Sequence, residues 1–445
     1  MSQLALPLDP TSEAPERIAR EHRVYVNRNL RLEQIAWVGF DMDYTLAIYR
    51  HPEMDRLAIE ATVHKLVERG HPESLLTMPY RSDFPIRGLH VDKKLGNVLK
   101  MDRYRYVKRA FHGTRELDKA ERRALYHQKP VKAGSSRFHW VDTLYTLPEV
   151  AVYAAAIDHL EAVARETGGP EPDYGALWDD VRACIDVAHQ DGSIIDTIAA
   201  DPARFIVRDP QLAPTLHKLR SAGKKIFVLT TSRPAYTQRV LSYLLDDGLP
   251  GYKSFRSYFD AIVCTAKKPS FFVEKGHHIV PVEPGTPPPD HGFVPGRLYE
   301  GGSLDALDAL LGVPSDQVLY VGDHIFGDVL RAKKETAWRT CLILQELTEE
   351  MAVRERIGEE ITRWDAIEDL TENLVDEVRH HKQRIEALER ALASGEGDHT
   401  ALASARALHR RALSRARARL EEAGPGGAPP GGGKSPRAPP FWGVV

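Results

Sequence analysis

Five short apolar runs punctuate the chain, each rich in β-branched residues and bounded by polar or turn residues. The first runs from Ile35 to Phe40 ("IAWVGF"). The others are "KIFVL" from Lys225, "AIVC" from Ala261, "VLYV" from Val318 and "CLIL" from Cys341. The middle three alternate with segments whose apolar residues recur at helical spacing, as in "APTLHKLRSAG" and "SLDALDALLG". Strands without internal polar positions, separated by helices, predict a Rossmann-like parallel α/β sheet covered on both faces. Ligands of such sheets lie at the carboxyl ends of the strands.

The chain between Phe40 and Lys225 is far too long for one crossover connection. The pattern therefore predicts a core built from residues 32–50 and 202–349, interrupted by an inserted α+β cap over 51–201. Within the insertion, "EATVHKLVERG" has helical periodicity, and "GLHVDKKLGNVLKMDRYRYVKRAFHG" alternates like short antiparallel strands. The stretches "TLPEVAVYAAAIDHLEAVARETG" and "YGALWDDVRACIDVAHQ" are helical again. Pro and Gly between His277 and Arg297 predict a surface loop or hairpin. Residues 350–422 predict a helical extension. In its "ALHRRALSRARARLEEAG", Ala and Leu at helical spacing favour a coiled-coil-like hairpin over a basic binding surface. Residues 1–31 form a polar leader, and the Pro/Gly-rich 423–445 predict a disordered tail.

Composition narrows the partners. Of 445 residues, 42% are hydrophobic and 28% charged, with a formal net charge of -3, which argues against nucleic-acid or membrane binding driven by overall charge. No apolar run approaches the ~20 residues of a membrane helix. The three cysteines, Cys184, Cys264 and Cys341, are too widely spaced for a disulfide framework or a Cys-x-x-Cys metal pair. With no signal-peptide pattern at the N-terminus, a cytoplasmic protein with reduced thiols is expected.

The candidate chemistry sits where the strands end. The first run stops on Asp41 and Asp43, and carboxylates are costly to bury unless paired, hydrogen-bonded or bound to a metal. The second ends in Thr230, Thr231 and Ser232, the third is followed by Lys267 and Lys268, and the fourth by Asp323 and Asp328. A parallel sheet delivers all four clusters to one edge. Together they are the components of phosphoryl transfer. Asp41 is the candidate nucleophile and Asp43 the general acid and base. Lys268 and the donors of Thr230, Thr231 and Ser232 are placed to hold phosphoryl oxygens. Asp41, Asp323 and the backbone carbonyl of Asp43 supply hard oxygen ligands suited to Mg²⁺. Asp328 is positioned to orient Lys268 or a metal-bound water.

These motifs resemble the haloacid dehalogenase superfamily: "DMDYT", the Thr230–Ser232 segment, Lys268 and "GDHIFGD" stand in its four motif positions. The longer segments "FDMDYTLAIYRHPE", "FPIRGL", "LYTLPE", "AKKPSFF", "YEGGS" and "YVGDHIFGDVLRAKK" resemble the purine cytosolic 5′-nucleotidase family over roughly Ile35 to Glu349. The resemblance implies a Mg²⁺-dependent hydrolase of nucleoside 5′-monophosphates such as IMP and GMP, acting through an aspartyl-phosphate. It also implies possible transfer of the phosphoryl group to a nucleoside, and a homo-oligomer, dimer or tetramer. Within "DDVRACIDVAHQDGS", Arg182, Asp186 and His189 share one helical face and are the implied base and ribose contacts. The chain departs from the family pattern at Thr114 and Arg115, where an aromatic and an asparagine meet the base. It departs also at Asp196 in place of a lysine and at Thr231 in place of an asparagine. These departures leave two alternatives: a phosphatase of another small phosphomonoester such as a sugar phosphate, or a nucleotide-binding protein without turnover.

Overall fold

The first apolar run folds as the middle of a seven-stranded sheet. The computed structural model of the chain describes residues 23–27, 29–102, 105–126, 131–132, 134–289, 292–356, 358–395 and 398–423. The predicted leader lies outside them up to residue 22, and the predicted tail lies outside them apart from its first residue. The sheet contains β1 (Trp37–Phe40), β2 (Lys225–Leu229), β3 (Ala261–Cys264), β4 (Ile279–Pro281), β5 (Leu298–Gly301), β6 (Val318–Gly322) and β7 (Arg339–Leu342). The spatial order is β4-β5-β3-β2-β1-β6-β7. All neighbours are parallel except the edge strand β4, which runs antiparallel to β5.

The continuous apolar runs arise because both faces of this sheet are covered. Along β2 and β3, Ile226, Val228, Ile262 and Cys264 enter one apolar layer with Leu241 and Leu244 of helix Pro234–Leu245. The alternate residues Phe227, Leu229, Ala261 and Val263 enter the opposite layer with Leu307 and Leu311 of helix Leu304–Leu311. Gly39 of β1 sits where a Cβ would overlap the Phe227 ring, so the central strand needs glycine there.

Between β1 and β2 the chain leaves and re-enters the sheet layer through a two-residue ladder, Ile48–Tyr49 paired antiparallel with Ile206–Val207. The intervening segment supplies helices α1 (His51–Glu68), α2 (Leu147–Thr167) and α3 (Tyr174–Gln190). Asp173 caps α3 by accepting from the N–H groups of Gly175 and Ala176 (2.9 and 3.0 Å). The alternating stretch in the middle becomes a five-stranded antiparallel sheet, in the order Arg115–Glu116, Val107–His112, Asn97–Met101, His90–Asp92, Phe138–Trp140. This segment and the seven-stranded sheet form one compact unit ending at Gln345.

The described residues from Glu346 to Ala423 form a second unit of helices: Glu346–Arg356, α4 (Gly358–Ser394) and α5 (His399–Ala423). Gly395, with φ +71°, makes the left-handed turn after α4 that a side chain would disfavour. All three cysteines are free; Cys184 and Cys264 are buried and Cys341 partly so. No helix among the described residues is long and apolar enough to cross a membrane.

Candidate active site

Asp41 follows β1 directly. Its N–H still donates to the Val321 carbonyl (2.8 Å), so its side chain is fixed by the sheet ladder. Immediately after it the chain turns sharply. Tyr44 adopts φ +57°, rare for a bulky residue, and the N–H groups of Leu46 and Ala47 both donate to the Met42 carbonyl (2.9 Å each). The turn folds Tyr49 back onto Asp43. Tyr49 donates its hydroxyl to Asp43 Oδ1 (2.5 Å), and the Ser232 hydroxyl donates to Oδ2 (2.7 Å). The Tyr236 hydroxyl lies 2.7 Å from that of Tyr49, extending the network. Burial raises the pKa of Asp43 above the usual carboxylate range, while the Ser232 and Tyr49 donors work in the other direction. The result is a carboxyl held in one orientation and biased toward keeping a proton.

Lys268 comes from the loop after β3, where Thr265 takes φ +53° and the N–H of Ala266 donates to the Thr230 carbonyl (2.9 Å). Its ammonium reaches Asp41 Oδ1 (2.9 Å), Asp328 Oδ1 (2.8 Å) and the Tyr320 hydroxyl (3.1 Å). Two hydrogen bonds and an ion pair thus hold the ammonium, with the lysine side chain only 6% exposed. Burial disfavours the charged amine, but Asp328 and Asp41 outweigh it and hold its pKa above the ordinary value.

Asp328 stands in a single π turn, Ile325–Leu330, after β6. Its Oδ2 accepts the His324 N–H (3.1 Å). Gly322 leaves the room for it: a Cβ there would lie 2.5 Å from the Asp328 carboxyl carbon. The carboxylates of Asp41, Asp323 and Asp328 can each bring one oxygen within 4.8 Å of the others. Burial first, then repulsion from neighbouring carboxylates, raises Asp41, and the same causes push Asp323 to about 7. Three crowded, buried carboxylates facing one ammonium are a donor set that a hard divalent cation fits. The Asp43 carboxylate is turned toward Tyr49 and Ser232.

Of the hydroxyl cluster, Thr230 is buried and its Oγ1 accepts the Ser232 N–H (3.1 Å), while Thr231 is exposed. The insertion reaches the same edge. Arg87 donates to the Asp323 carbonyl (3.0 Å), and His324 Nε2 lies 3.4 Å from the Asp142 carboxylate. With His324 Nδ1 accepting the Gly327 N–H (3.3 Å), the proton belongs on Nε2. Arg182 and His189 sit on α3 beside this edge. Arg182 Nη1 donates to both oxygens of Glu149 (2.8 and 2.7 Å), and the His189 ring meets Tyr145, which itself packs on Tyr44. Asp186 is exposed one turn from Arg182.

Two implied base contacts are not gathered here. The N–H and hydroxyl of Thr114 both donate to Asp158, and Arg115 pairs with Glu121 (3.1 Å). They begin the edge strand that lies farthest, across the five-stranded sheet, from Phe138–Trp140. In this structure local carboxylates hold both residues. Asp196 is exposed on the short helix Ile195–Ala200. Conversely, Tyr49, Tyr236, Tyr320, Arg87, Glu149 and Asp142 join the site unannounced by the motif reading. Tyr49, Arg87, Glu149 and Tyr320 did carry a signal, since they lie within the segments "FDMDYTLAIYRHPE", "FPIRGL", "LYTLPE" and "YVGDHIFGDVLRAKK".

Comparison with known proteins places these observations. A family model described as the 5′ nucleotidase family matches residues 24–423. The chain is 31% identical over 359 residues to a 5′-nucleotidase domain-containing protein of Dictyostelium discoideum, an alignment covering 77% of this chain. The chain spans 60% of that relative's length. Among solved structures, a predicted phosphoglycolate phosphatase from Haemophilus somnus 129PT matches with 11% identity over 72% of this chain and 98% of its own. The TM-score of 0.27 is too low for that likeness to inform the fold.

Proposed function

The chain belongs to the 5′ nucleotidase family, and from that premise we propose that it is a phosphoric monoester hydrolase of nucleoside 5′-monophosphates, purine nucleotides such as IMP and GMP foremost. The observation that carries the reading is the convergence of Asp41, Asp43, Ser232, Lys268, Asp323 and Asp328 at one sheet edge, with the protonation bias described above.

In this reading an Asp41 carboxylate oxygen attacks phosphorus, and the ester P–O bond breaks. Asp43, whose hold on a proton burial strengthens, gives its proton to the leaving alkoxide. The product on the enzyme is an aspartyl-phosphate at Asp41. Asp43 then takes a proton from the water that attacks phosphorus, which frees inorganic phosphate and restores the Asp41 carboxylate. A nucleoside 5′-hydroxyl in place of that water gives phosphotransfer. Lys268 holds the attacking carboxylate against Asp328 and offers charge to the phosphoryl oxygens, with the Thr230–Ser232 segment beside it. Asp41, Asp323 and the Asp43 carbonyl, with Asp328 adjacent, are the groups that would hold Mg²⁺. When bound, it would offset the negative charge gathered around phosphorus.

Arg182, oriented by Glu149, is the cap residue best placed to meet the nucleoside, with Asp186 and His189 on the same face of α3. Family membership also supports a cytoplasmic homo-oligomer as the working form. The test is a panel of 5′-nucleotides assayed with wild type and Arg182→Gln. Losing a charge-assisted hydrogen bond to substrate should raise KM by roughly tenfold or more, with kcat little changed. Equal KM values for nucleotides in both proteins would remove Arg182 from the substrate contacts. Turnover of sugar phosphates in preference to every nucleotide would replace the substrate class.

A further inference from the structure

Among the residues of α4 whose burial is described, a buried and partly buried row recurs with spacings of four and three: Leu374, Val378, His381, Ile385, Leu388 and Leu392. This is the seam of a coiled-coil pair. Its partner row on α5 is Leu402, Ala405, His409, Ala412 and Ala416. Each row is apolar except at one position, and both exceptions are histidines. A polar ring in an apolar seam costs stability unless its nitrogens find partners.

The two exceptions face each other, with Nδ1 of His381 and Nδ1 of His409 2.9 Å apart. A hydrogen bond between two neutral rings would satisfy that pair alone. A third imidazole nevertheless converges on it: the His380 ring centroid lies 5.3 Å from that of His381 and 6.1 Å from that of His409. One ring nitrogen from each of the three falls within 4.8 Å of the other two. The tetrahedral shell of a zinc-like ion, with metal–nitrogen bonds of ~2.0–2.1 Å, sets its ligand nitrogens about 3.3 Å apart. The cluster is therefore within small side-chain adjustments of such a shell. Burial first, then the neighbouring histidines and Arg384, lowers the pKa of His409, which favours the neutral ring that a metal requires.

We propose that His380, His381 and His409 form a binding site for a first-row divalent transition metal of zinc type, which clasps α4 to α5. Imidazole ligands select zinc, copper or nickel over magnesium, so the site is chemically distinct from the carboxylate cluster beside Asp41. The fourth position is left to water. The site ties the hairpin at one polar layer, where an ordinary coiled coil would place leucine or valine.

The test uses the full chain without a polyhistidine tag, stripped with chelator and titrated with Co²⁺ in millimolar Mg²⁺ to keep the carboxylate cluster filled. The expected result is one Co²⁺ per chain with the intense visible bands of a tetrahedral ion, displaced by stoichiometric Zn²⁺. In His381→Leu, which restores the apolar seam and so keeps the hairpin folded, affinity should fall by roughly 100-fold or more, because a direct ligand is lost. His409→Ala should give the same loss. Co²⁺ uptake unchanged in His381→Leu would overturn the proposal, as would no tetrahedral spectrum in the wild type. The latter result would reduce the three rings to a polar layer that only fixes helix register.

Discussion

Gly322 provides the sharpest structural perturbation of the site. It ends β6, and its backbone is not in the left-handed region, so alanine there introduces volume without backbone strain. The new Cβ would lie 2.5 Å from Cγ and 2.6 Å from Cβ of Asp328. Carbon atoms in ordinary contact keep about 3.5 Å, so Asp328 must retreat by roughly 1 Å. Lys268 is 2.8 Å from Asp328 Oδ1, and a shift of that size takes the pair out of hydrogen-bond range. A lost charge-assisted bond of about 1.5–3 kcal/mol, or a misplacement of about 1 Å near the chemistry, each corresponds to a rate loss of the order of tenfold to a hundredfold. Gly322→Ala should therefore lower kcat about 30- to 100-fold. Overpacking by one methyl should destabilise the fold by only about 1–3 kcal/mol. Steady-state phosphate release at saturating substrate and Mg²⁺, beside a thermal melt, measures both. In an Asp328→Gly background the same alanine should be nearly silent, because the group it displaces is gone. Wild-type kcat in a folded Gly322→Ala protein would refute the claim that the Asp328 carboxylate positions Lys268.

Two further outcomes follow from named contacts. Tyr49→Phe removes a donor from Asp43 Oδ1, and because that donor favours the carboxylate form, the pKa of Asp43 should rise further. The limb of the kcat–pH profile governed by Asp43 should move to higher pH by about one unit, and an unmoved profile would count against Asp43 as the acid. Asp55, buried on α1, has its pKa raised by burial to about 7. The native state then binds more protons than the unfolded state between about pH 4 and 7, so stability falls as pH rises through that window. Asp55→Asn should be nearly neutral at pH 4 and stabilising by up to roughly 4 kcal/mol at pH 8, as read by denaturant unfolding at both pH values. A parallel shift at both would show that Asp55 does not carry the slope.

Much of this architecture was legible because a doubly covered strand has no polar positions to blur it. The runs at Trp37, Lys225, Ala261 and Val318 needed nothing but apolar continuity, whereas β7 is shifted from the run at Cys341 and begins on the polar Arg339 and Thr340. β5 was missed because "LYEG" is too short and mixed to stand out. β4 lies inside the Pro/Gly-rich stretch, where the hairpin alternative proved the right one, since Ile279–Pro281 pairs antiparallel with β5. The residues that follow their own strands could be grouped from sequence, because strand ends in a parallel sheet converge by topology. The residues that escaped act through distant partners. Tyr236 reaches Asp43 only through Tyr49, and Glu149 matters only because α2 brings it against Arg182. Thr114 and Arg115 entered through the family resemblance, and in the structure their local partners are Asp158 and Glu121.

The central claim is that Asp41 is the nucleophile of a metal-assisted phosphatase. The most direct measurement is phosphate release from 5′-nucleotides and sugar phosphates by the wild type and by Asp41→Asn, each with Mg²⁺ and with chelator. The account predicts turnover of nucleoside monophosphates that chelator abolishes and Asp41→Asn lowers by at least about 10⁴-fold, since an amide cannot serve as the nucleophile. Phosphate release that survives in a folded Asp41→Asn protein would contradict it.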